Sequence, residues 1–321
     1  MRDHGGNLDA AMARYGGQDW IDLSTGINRR PYPLPAIPDI AWTALPTQTA
    51  KARLIEAARL AWHVAAPTKA LSLAGAQAAI QLVPLLRPTG RAVVLTPTYN
   101  EHAACLSAHG WHLTEAAGLD ALHGADLAVV VNPNNPDGRR WLPERLLALA
   151  EAVGFLVVDE SFADATPELS LLSRALPPNV LVLRSFGKFY GLAGVRLGFA
   201  FGAAAVIDRL EAMAGPWPVP GPALHIGALA LADTAWAEAM RHQLAADAAR
   251  ADRLATAAGW PLTGGTPLFR TYHTPDAAAA QHHLARHRIW SRIFPYSRHW
   301  LRLGLPGPEA EWDRLAAALR A

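Results

Sequence analysis

The middle of the chain alternates short apolar runs with longer stretches of helical character. The runs are almost continuously apolar, as expected for parallel strands that are covered on both faces of a sheet. Between most of them lie segments that predict helices, at Ala76–Leu86, Glu101–His109 and Pro143–Val153. This repetition predicts an α/β fold with a mostly parallel central sheet in a large domain. The six predicted strands are Ala70–Ala74, Ala92–Thr96, Leu127–Val131, Phe155–Val158, Val180–Leu183 and Leu197–Phe201.

The pattern changes after the last of these runs. The segment Gly215–Pro222 is so rich in Pro and Gly that it cannot be a regular helix, and it predicts an inter-domain connector. An Ala-rich helical stretch follows to about Ala258, and then come two strand-like runs, Leu268–His273 and Trp300–Leu305. We therefore predict three parts: an N-terminal segment (1–30) that joins the small domain, a large α/β domain (31–215) and a smaller α+β domain (216–321).

Composition and charge narrow the possible classes of function. The chain has 321 residues, of which 51% are hydrophobic and 17% charged, so it can bury a large core. Its 29 basic and 27 acidic residues give a net charge of +2, and no nucleic-acid partner is expected. Pro, Gly or charge breaks every apolar run before bilayer length, and the N-terminus lacks an apolar signal core. With a single cysteine, Cys105, this predicts a soluble, cytoplasmic protein that does not bind membranes.

Polar and aromatic residues follow five of the predicted strands. In open parallel sheets, ligands bind at the carboxyl ends of the strands, where these residues would meet. Together they could form a site for a charged aromatic phosphate. Taken singly, each has an ordinary explanation, since Asp159 could be a capped loop acid and Asn132–Asn135 an ordinary turn. In chain order, the segments are Gly75-Ala76-Gln77, Pro97-Thr98-Tyr99, Asn132–Asn135, Asp159-Glu160 and Arg184–Lys188.

The segment from Ser185 to Gly198, SFGKFYGLAGVRLG, resembles the lysine motif of the fold-type I pyridoxal-phosphate enzymes. The resemblance covers nearly the whole chain and lies in the aspartate- and histidinol-phosphate-aminotransferase branch of that family. It implies the fold of the PLP-dependent transferases, with pyridoxal 5′-phosphate (PLP) as cofactor. It also implies that Lys188 binds the cofactor as a Schiff base, and that the enzyme is a homodimer.

The same resemblance assigns the other cofactor residues. It implies that Asp159 pairs with the pyridinium nitrogen, that Asn135 bonds the ring hydroxyl and that Tyr99 stacks on the ring. A carboxylate beside the ring nitrogen keeps it protonated, so that the ring can accept electrons from the substrate. Lys188 and Asp159 are thus the expected catalytic residues. The residues expected to hold the cofactor phosphate are Gly75, Ala76, Gln77, Ser185 and Arg196.

Two positions depart from the family pattern. Many members have a tyrosine three residues after the aspartate, where this chain has Phe162, so Asn135 would hold the ring hydroxyl with less help. Many also have a tyrosine that reaches the cofactor phosphate of the partner subunit, where this chain has Leu45. A leucine cannot make that bond, although this does not argue against dimerisation.

Further segments resemble the threonine-phosphate decarboxylases of cobalamin (vitamin B12) biosynthesis. They are His4-Gly-Gly-Asn7, Leu23-Ser-Thr-Gly-Ile-Asn28, Arg184–Lys188 and Gly215-Pro-Trp-Pro-Val219. This resemblance implies PLP-dependent decarboxylation of L-threonine O-3-phosphate to (R)-1-amino-2-propanol O-2-phosphate. The residues expected to bind this phosphorylated amino acid are His4, Gly6, Asn28, Asn135, Arg292 and Arg302, with Arg302 matching the arginine that binds a substrate carboxylate.

Two other functions stay open at the level of sequence. A histidinol-phosphate-type aminotransferase would share every cofactor residue, and it would require a keto-acid partner. A PLP-free scaffold or regulatory protein would need Lys188 to be idle. The histidines at 282, 283 and 287 lack a third ligand or a Glu motif, so we expect no metal site.

Overall fold

The computed structural model describes residues 4–320, which form two compact units. The large unit consists of Tyr32–Asn135 and Arg140–Glu238. The small unit consists of the described residues up to Pro31, the short segment Pro136–Arg139, and the described residues from Ala239 onward. Within 4–320, no helix has the length and apolar character needed to cross a bilayer.

The described residues contain thirteen β-strands in three sheets. In chain order they are β1 (Ile21–Asp22), β2 (Lys69–Leu73), β3 (Arg91–Leu95), β4 (His112–Ala116), β5 (Leu127–Val131), β6 (Leu156–Asp159), β7 (Val180–Ser185), β8 (Gly198–Gly202), β9 (Leu262–Thr266), β10 (Phe269–His273), β11 (Ile289–Trp290), β12 (Arg292–Phe294) and β13 (Ser297–Gly304).

The same residues contain twelve α-helices. In chain order they are α1 (Leu8–Tyr15), α2 (Asp39–Thr43), α3 (Gln48–Ala61), α4 (Ala76–Leu82), α5 (Asn100–Ala108), α6 (Pro143–Glu151), α7 (Phe186–Phe189), α8 (Ala204–Ala214), α9 (Gly221–Ala232), α10 (Thr234–Ala257), α11 (Ala277–Arg286) and α12 (Glu309–Arg320).

The central sheet of the large unit has seven strands in the order β2-β8-β7-β6-β5-β3-β4. All six predicted strands are present, within two residues at each end, and the predicted α/β fold with a mostly parallel sheet is confirmed. β8 departs from the parallel expectation, since it pairs antiparallel with both β2 and β7. A continuous apolar run shows that a strand is buried on both faces, but it does not fix the direction of the strand.

The boundary between the units falls inside α10, after Glu238. This differs from the predicted boundary at residue 216, because the Gly215–Pro222 segment only links α8 to α9 within the large unit. α9 packs against α3 and buries residues on nearly all its faces, among them Leu224, Ile226 and Leu231. A helix that is apolar all round belongs inside a core, so α9 remains with the large unit.

The sheet of the small unit has four antiparallel strands in the order β12-β13-β10-β9. Arg302 on β13 lies opposite Arg292 on β12 and opposite Thr271 on β10. The N-terminal residues belong to the same unit, because β1 pairs in parallel with β11. Residues from the two ends of the chain are thereby brought together.

Candidate active site

A cavity in the large unit contains every cofactor residue proposed from the sequence. It lies at the carboxyl ends of the central strands, where ligands of open α/β sheets bind. Ser161 and Phe162 also line its wall. The proposed residues in its lining are Gly75, Ala76, Gln77, Tyr99, Asn135, Asp159, Ser185, Lys188 and Arg196.

The carboxylate of Asp159, the last residue of β6, is almost fully buried, with 2% of its surface exposed. One oxygen lies 2.9 Å from Nε2 of His102, and the other accepts hydrogen bonds from the backbone N–H (2.9 Å) and hydroxyl of Ser161. Burial alone would raise the pKa of Asp159, but these bonds and the charge of His102 lower it below its usual value. The carboxylate is therefore held ionised at the cavity wall.

His102 and Ser161 were missed in the sequence. His102 is buried on α5 and presents its ring edge to Tyr99, at 6.2 Å between ring centroids. It stands three residues after Tyr99, and such spacing near a helix start could have suggested a shared location. Ser161 follows Asp159 by two residues, which is the spacing at which an aspartate accepts a hydrogen bond from a following backbone N–H.

Tyr99 enters a chain of hydrogen bonds along the cavity wall. Its hydroxyl donates to Oε1 of Gln77 (3.2 Å), and Nε2 of Gln77 donates to Oε2 of the buried Glu101 (3.1 Å). Burial and the charges of Glu101 and Asp159 raise the pKa of Tyr99 to about 12. The phenol therefore stays protonated, and its ring is fixed as part of the wall.

The asparagines that follow β5 have separate roles. Asn132 bonds the backbone of Trp141 in both directions, at 2.9 and 3.0 Å. Asn134 accepts from the hydroxyl of Thr98 (2.6 Å) and donates to the carbonyl of Pro97 (2.8 Å). Asn135, by contrast, lines the cavity. The first two thus fix the shape of the loop that presents the third.

At another wall of the cavity, Gly75 lies against the guanidinium of Arg196. Gly75 has φ +79°, and a Cβ placed on it would lie 2.8 Å from Nη2 of Arg196. Arg196 itself has left-handed backbone angles (φ 53°, ψ 52°), and its Nη1 donates to the carbonyl of Ala193 (3.1 Å). Ser185 ends β7 immediately before α7. A guanidinium, a hydroxyl and closely approaching backbone suit a phosphate group.

Lys188 lies on α7, with its Nζ 5.7 Å from the centroid of the Phe162 ring. PLP fits the residues around this lysine. The cavity offers an amine for the aldehyde, an ionised buried carboxylate for the ring nitrogen and the Gly75–Arg196 pair for the phosphate. Because Gly75 has no side chain, its backbone and the guanidinium of Arg196 lie close enough to contact one anion together. This close approach is the clearest sign of an anion site.

We expect Gly75→Ala to weaken PLP binding by about tenfold or more, because the new Cβ would displace Arg196 and strain a left-handed backbone. A titration of the apoenzyme with PLP, followed by absorbance, measures this. Gly215→Ala is the matched control, since Gly215 has φ +78° but no atom within 4 Å of an added Cβ. Equal weakening of PLP binding by both substitutions would mean that backbone strain, and not the displacement of Arg196, lowers the affinity. That result would count against a phosphate site.

A second cavity, in the small unit, contains three of the proposed substrate residues: His4, Gly6 and Arg292. Ser24, Trp290 and Ser291 share its lining. The N–H of Gly6 is already engaged, since it donates to Oγ of Ser24 (2.7 Å).

Two further proposed substrate residues, Asn28 and Arg302, are buried in the small unit but do not line that cavity. Asn28 accepts a hydrogen bond from the backbone of Arg30 (2.9 Å), and Nη2 of Arg302 donates to the carbonyl of Ser24 (2.6 Å). Burial and the charge of Arg292 lower the pKa of Arg302 to about 10. Arg302 is nevertheless cationic at neutral pH, as an anion site requires.

The C-terminal histidines make hydrogen bonds within the protein. His283 donates to the carbonyl of Ala318 (2.7 Å), and His287 donates to the carbonyl of His283 (3.1 Å). His282 lies 3.2 Å from the hydroxyl of Tyr15. Between residues 4 and 320, no cluster of three or more His, Cys, Asp or Glu side chains is arranged to hold a metal ion.

Comparison with known proteins relates the whole chain to PLP enzymes. The profile of the aminotransferase class I and II family matches residues 47–319. A threonine-phosphate decarboxylase from Pseudomonas aeruginosa is 45% identical, over 99% of this chain and 97% of that protein. Another, from Sinorhizobium sp., is 43% identical, over 98% and 97%. A solved histidinol-phosphate aminotransferase from Sinorhizobium meliloti, in complex with pyridoxal-5′-phosphate, has a TM-score of 0.83 at 23% identity and covers 98% of this chain and 93% of its own.

Proposed function

Because the chain belongs to the aminotransferase class I and II family, we propose that it releases the carboxylate of L-threonine O-3-phosphate as CO2. The product is (R)-1-amino-2-propanol O-2-phosphate, for cobalamin biosynthesis. The observation that carries the proposal is the identity of 45% and 43%, over nearly the whole chain, to two threonine-phosphate decarboxylases. Pyridoxal 5′-phosphate is the cofactor of the chain.

When bound, PLP withdraws electrons from the bond that breaks at the substrate Cα. We propose that Lys188 holds the cofactor covalently in the resting enzyme. The Lys188 amine, or water, later supplies the proton that replaces CO2 at Cα. Asp159 keeps a proton on the ring nitrogen, because its buried carboxylate has a lowered pKa and remains ionised.

The other cavity residues hold the cofactor in our proposal. Asn135 bonds the ring hydroxyl, and the Tyr99 ring stacks on the cofactor ring. Phe162 provides an apolar surface beside the lysine in place of a second hydrogen bond. The phosphate is held by Gly75, Ala76, Gln77, Ser185 and Arg196.

We propose that the small unit binds the two anionic ends of the substrate. Arg302 binds the carboxylate, because a buried guanidinium gains more from pairing with an anion than an exposed one does. Arg292 and His4, which line the second cavity with Gly6, bind the phosphate. Asn28 shapes its own turn by accepting a hydrogen bond from the N–H of Arg30. The large unit contributes Asn135, which lines the cofactor cavity, as a further proposed substrate contact.

The alternative is an aminotransferase for histidinol phosphate or a related compound. The histidinol-phosphate aminotransferase from Sinorhizobium meliloti has a similar fold, so the fold does not decide between the two reactions. An assay of CO2 release distinguishes the two. We expect the holoenzyme to release CO2 from phosphothreonine with no keto acid present. Activity that appears only when 2-oxoglutarate is added would overturn the decarboxylase proposal in favour of transamination.

We expect Arg302→Ala to weaken binding of phosphothreonine by about 100-fold, since a charge-assisted hydrogen bond within a buried site is lost. Binding of (R)-1-amino-2-propanol O-2-phosphate should change far less, because this product has no carboxylate left to pair. With the holoenzyme, steady-state kinetics gives the KM of phosphothreonine, which is turned over, and calorimetry gives the Kd of the product. Arg298→Ala is the control, since Arg298 lies on the same strand with 78% of its side chain exposed. Equal weakening of both ligands by Arg302→Ala would assign Arg302 to the phosphate.

We also propose that the enzyme is a cytoplasmic homodimer. The exposed apolar side chains of Ile40, Trp42 and Leu45, each at least 65% exposed, form a face that a second copy would cover. Sedimentation of the holoenzyme is expected to give about twice the chain mass of 34.4 kDa. A monomer at micromolar concentration would contradict this.

A further inference from the structure

Ser24 is a buried serine of the small unit whose hydroxyl and carbonyl bond two different segments of the proposed substrate site. Only 1% of its surface is exposed. Its Oγ accepts a hydrogen bond from the backbone N–H of Gly6 (2.7 Å) and donates to Oδ1 of Asp22 (2.6 Å). Its own N–H donates to the same Asp22 oxygen (2.9 Å), and its carbonyl accepts from Nη2 of Arg302 (2.6 Å).

The two partners of the Ser24 hydroxyl, one a donor and one an acceptor, fix the direction of its hydrogen. A serine hydroxyl has one hydrogen to donate, and the carboxylate of Asp22 can only accept. The hydrogen therefore points to Asp22, which leaves a lone pair of Oγ facing the N–H of Gly6. Asp22 thereby orients the hydroxyl that anchors the N-terminal segment.

The carbonyl of Ser24 has equally close neighbours. A Cβ built on Gly5 would lie 2.4 Å from this oxygen, so the N-terminal segment can approach Ser24 this closely only with glycine at position 5. The guanidinium of Arg302 donates to the same oxygen, and its Cζ lies 5.2 Å from the centroid of the Phe269 ring. The hydrogen bond and the ring together fix the orientation of the guanidinium.

We propose that Ser24 is a positioning residue that holds the N-terminal segment and Arg302 in a fixed relation, and so sets the separation at which the two anionic ends of the substrate are bound. The inference rests on the proposed function, in which His4 and Arg302 bind those ends. Ser24 acts through its neighbours, because its hydroxyl is already engaged by the N–H of Gly6 and the carboxylate of Asp22. Its hydroxyl governs the phosphate end through Gly6, and its carbonyl governs the carboxylate end through Arg302.

Ser24→Ala separates these two roles, because it removes the hydroxyl and keeps the carbonyl. Three ligands of the holoenzyme report on the two ends: L-threonine O-3-phosphate, L-threonine, and (R)-1-amino-2-propanol O-2-phosphate. We expect the KM of L-threonine O-3-phosphate and the Kd of (R)-1-amino-2-propanol O-2-phosphate each to rise about tenfold, which is the effect of losing one or two hydrogen bonds. The Kd of L-threonine and the affinity for PLP should stay within about twofold.

Ser297→Ala is the matched control. Ser297 lies in the same unit, and its hydroxyl likewise accepts from backbone N–H groups, those of His299 (3.3 Å) and Trp300 (3.1 Å). It should leave all three affinities unchanged, whereas Ser24→Thr, which keeps the hydroxyl, should restore most of the lost phosphate affinity. A general loss of stability would weaken binding of all three ligands, whether or not they carry a phosphate.

Equal weakening of all three ligands by Ser24→Ala, or no weakening, overturns the proposal. If Ser24→Ala does not yield folded holoenzyme, Asp22→Ala serves as the second variant, because it frees the hydroxyl to rotate. The charge of Asp22 also acts on Arg302, so the ligand to follow is the phosphorylated product, which has no carboxylate. Its Kd should rise about threefold, and an unchanged Kd overturns the proposal. Failure of the proposed function appears separately, as wild-type enzyme that releases no CO2 from phosphothreonine.

Discussion

Replacing Lys188 with alanine is expected to remove the covalent link to PLP and to lower turnover by about 10⁴-fold or more, because one side chain supplies both the cofactor attachment and the proton. The chain has only two other lysines, Lys51 and Lys69. Lys51 donates to the carbonyl of Pro216, and Lys69 pairs with Asp208, so each is engaged outside the cavity. Borohydride reduction followed by peptide mass spectrometry measures the link directly.

Lys69→Ala is the control for this experiment, and it should keep both the visible absorption of the bound cofactor and the activity. In the Lys188→Ala variant we expect PLP to bind only reversibly. A borohydride-fixed adduct at Lys51 or Lys69 in that variant, with activity retained, would mean that Lys188 has been assigned the wrong role.

Asp159→Asn is expected to keep much of its PLP affinity, since the phosphate contacts lie elsewhere in the cavity. Turnover should fall by about 10³-fold, because a neutral amide does not hold a proton on the ring nitrogen and the ring accepts electrons poorly. Equilibrium dialysis with PLP and an assay of turnover measure the two effects separately.

The control is Asp164→Asn, which alters another buried carboxylate of the large unit. Asp164 accepts from the indole of Trp62 (2.7 Å), a bond that an amide oxygen can still accept. This variant should lose stability but keep turnover within a few-fold of wild type. Near-normal turnover in Asp159→Asn would show that its carboxylate has another function.

Much of the large unit could be predicted because its strands are buried on both faces. β5, β6 and most of β7 are buried, and their sequences are apolar runs that break only at the polar residues closing β6 and β7. β4 was missed because it is the edge strand and exposes most of its residues, which makes its pattern polar. β9 was missed because its two glycines weaken any strand pattern, although close contact with Asp137 requires Gly264 there.

The cofactor residues could be predicted for a related reason. Most of them end or follow a strand, and parallel strands deliver their carboxyl ends to one edge of the sheet. Arg196 instead precedes β8, whose amino end lies at that edge because β8 runs antiparallel to β7. The match to a known lysine motif then identified the cofactor, and the similarity to class I and II aminotransferases confirms that family. The contact between His102 and Asp159 was not predictable, because it joins α5 to β6 and no local pattern records it.

The substrate residues were harder to predict, because they come from opposite ends of the chain. The bond between Arg302 and Ser24 spans 278 residues. It exists only because β13 and the N-terminal segment fold into the same unit. Motif resemblance proposed His4, Arg302 and the segment that contains Ser24 separately, and the bonds by which Ser24 links them appeared only in the structure.

The most direct test of the proposed reaction follows the hydrogens of the substrate Cα in deuterated water. The holoenzyme is incubated with L-threonine O-3-phosphate in D2O without any keto acid, and the products are examined by proton NMR and mass spectrometry. We predict that each CO2 released leaves one molecule of aminopropanol phosphate, which keeps the original Cα hydrogen and carries a single deuterium beside it. Recovered phosphothreonine with deuterium at Cα, and no CO2, would show that the enzyme breaks the bond to hydrogen and would contradict decarboxylation.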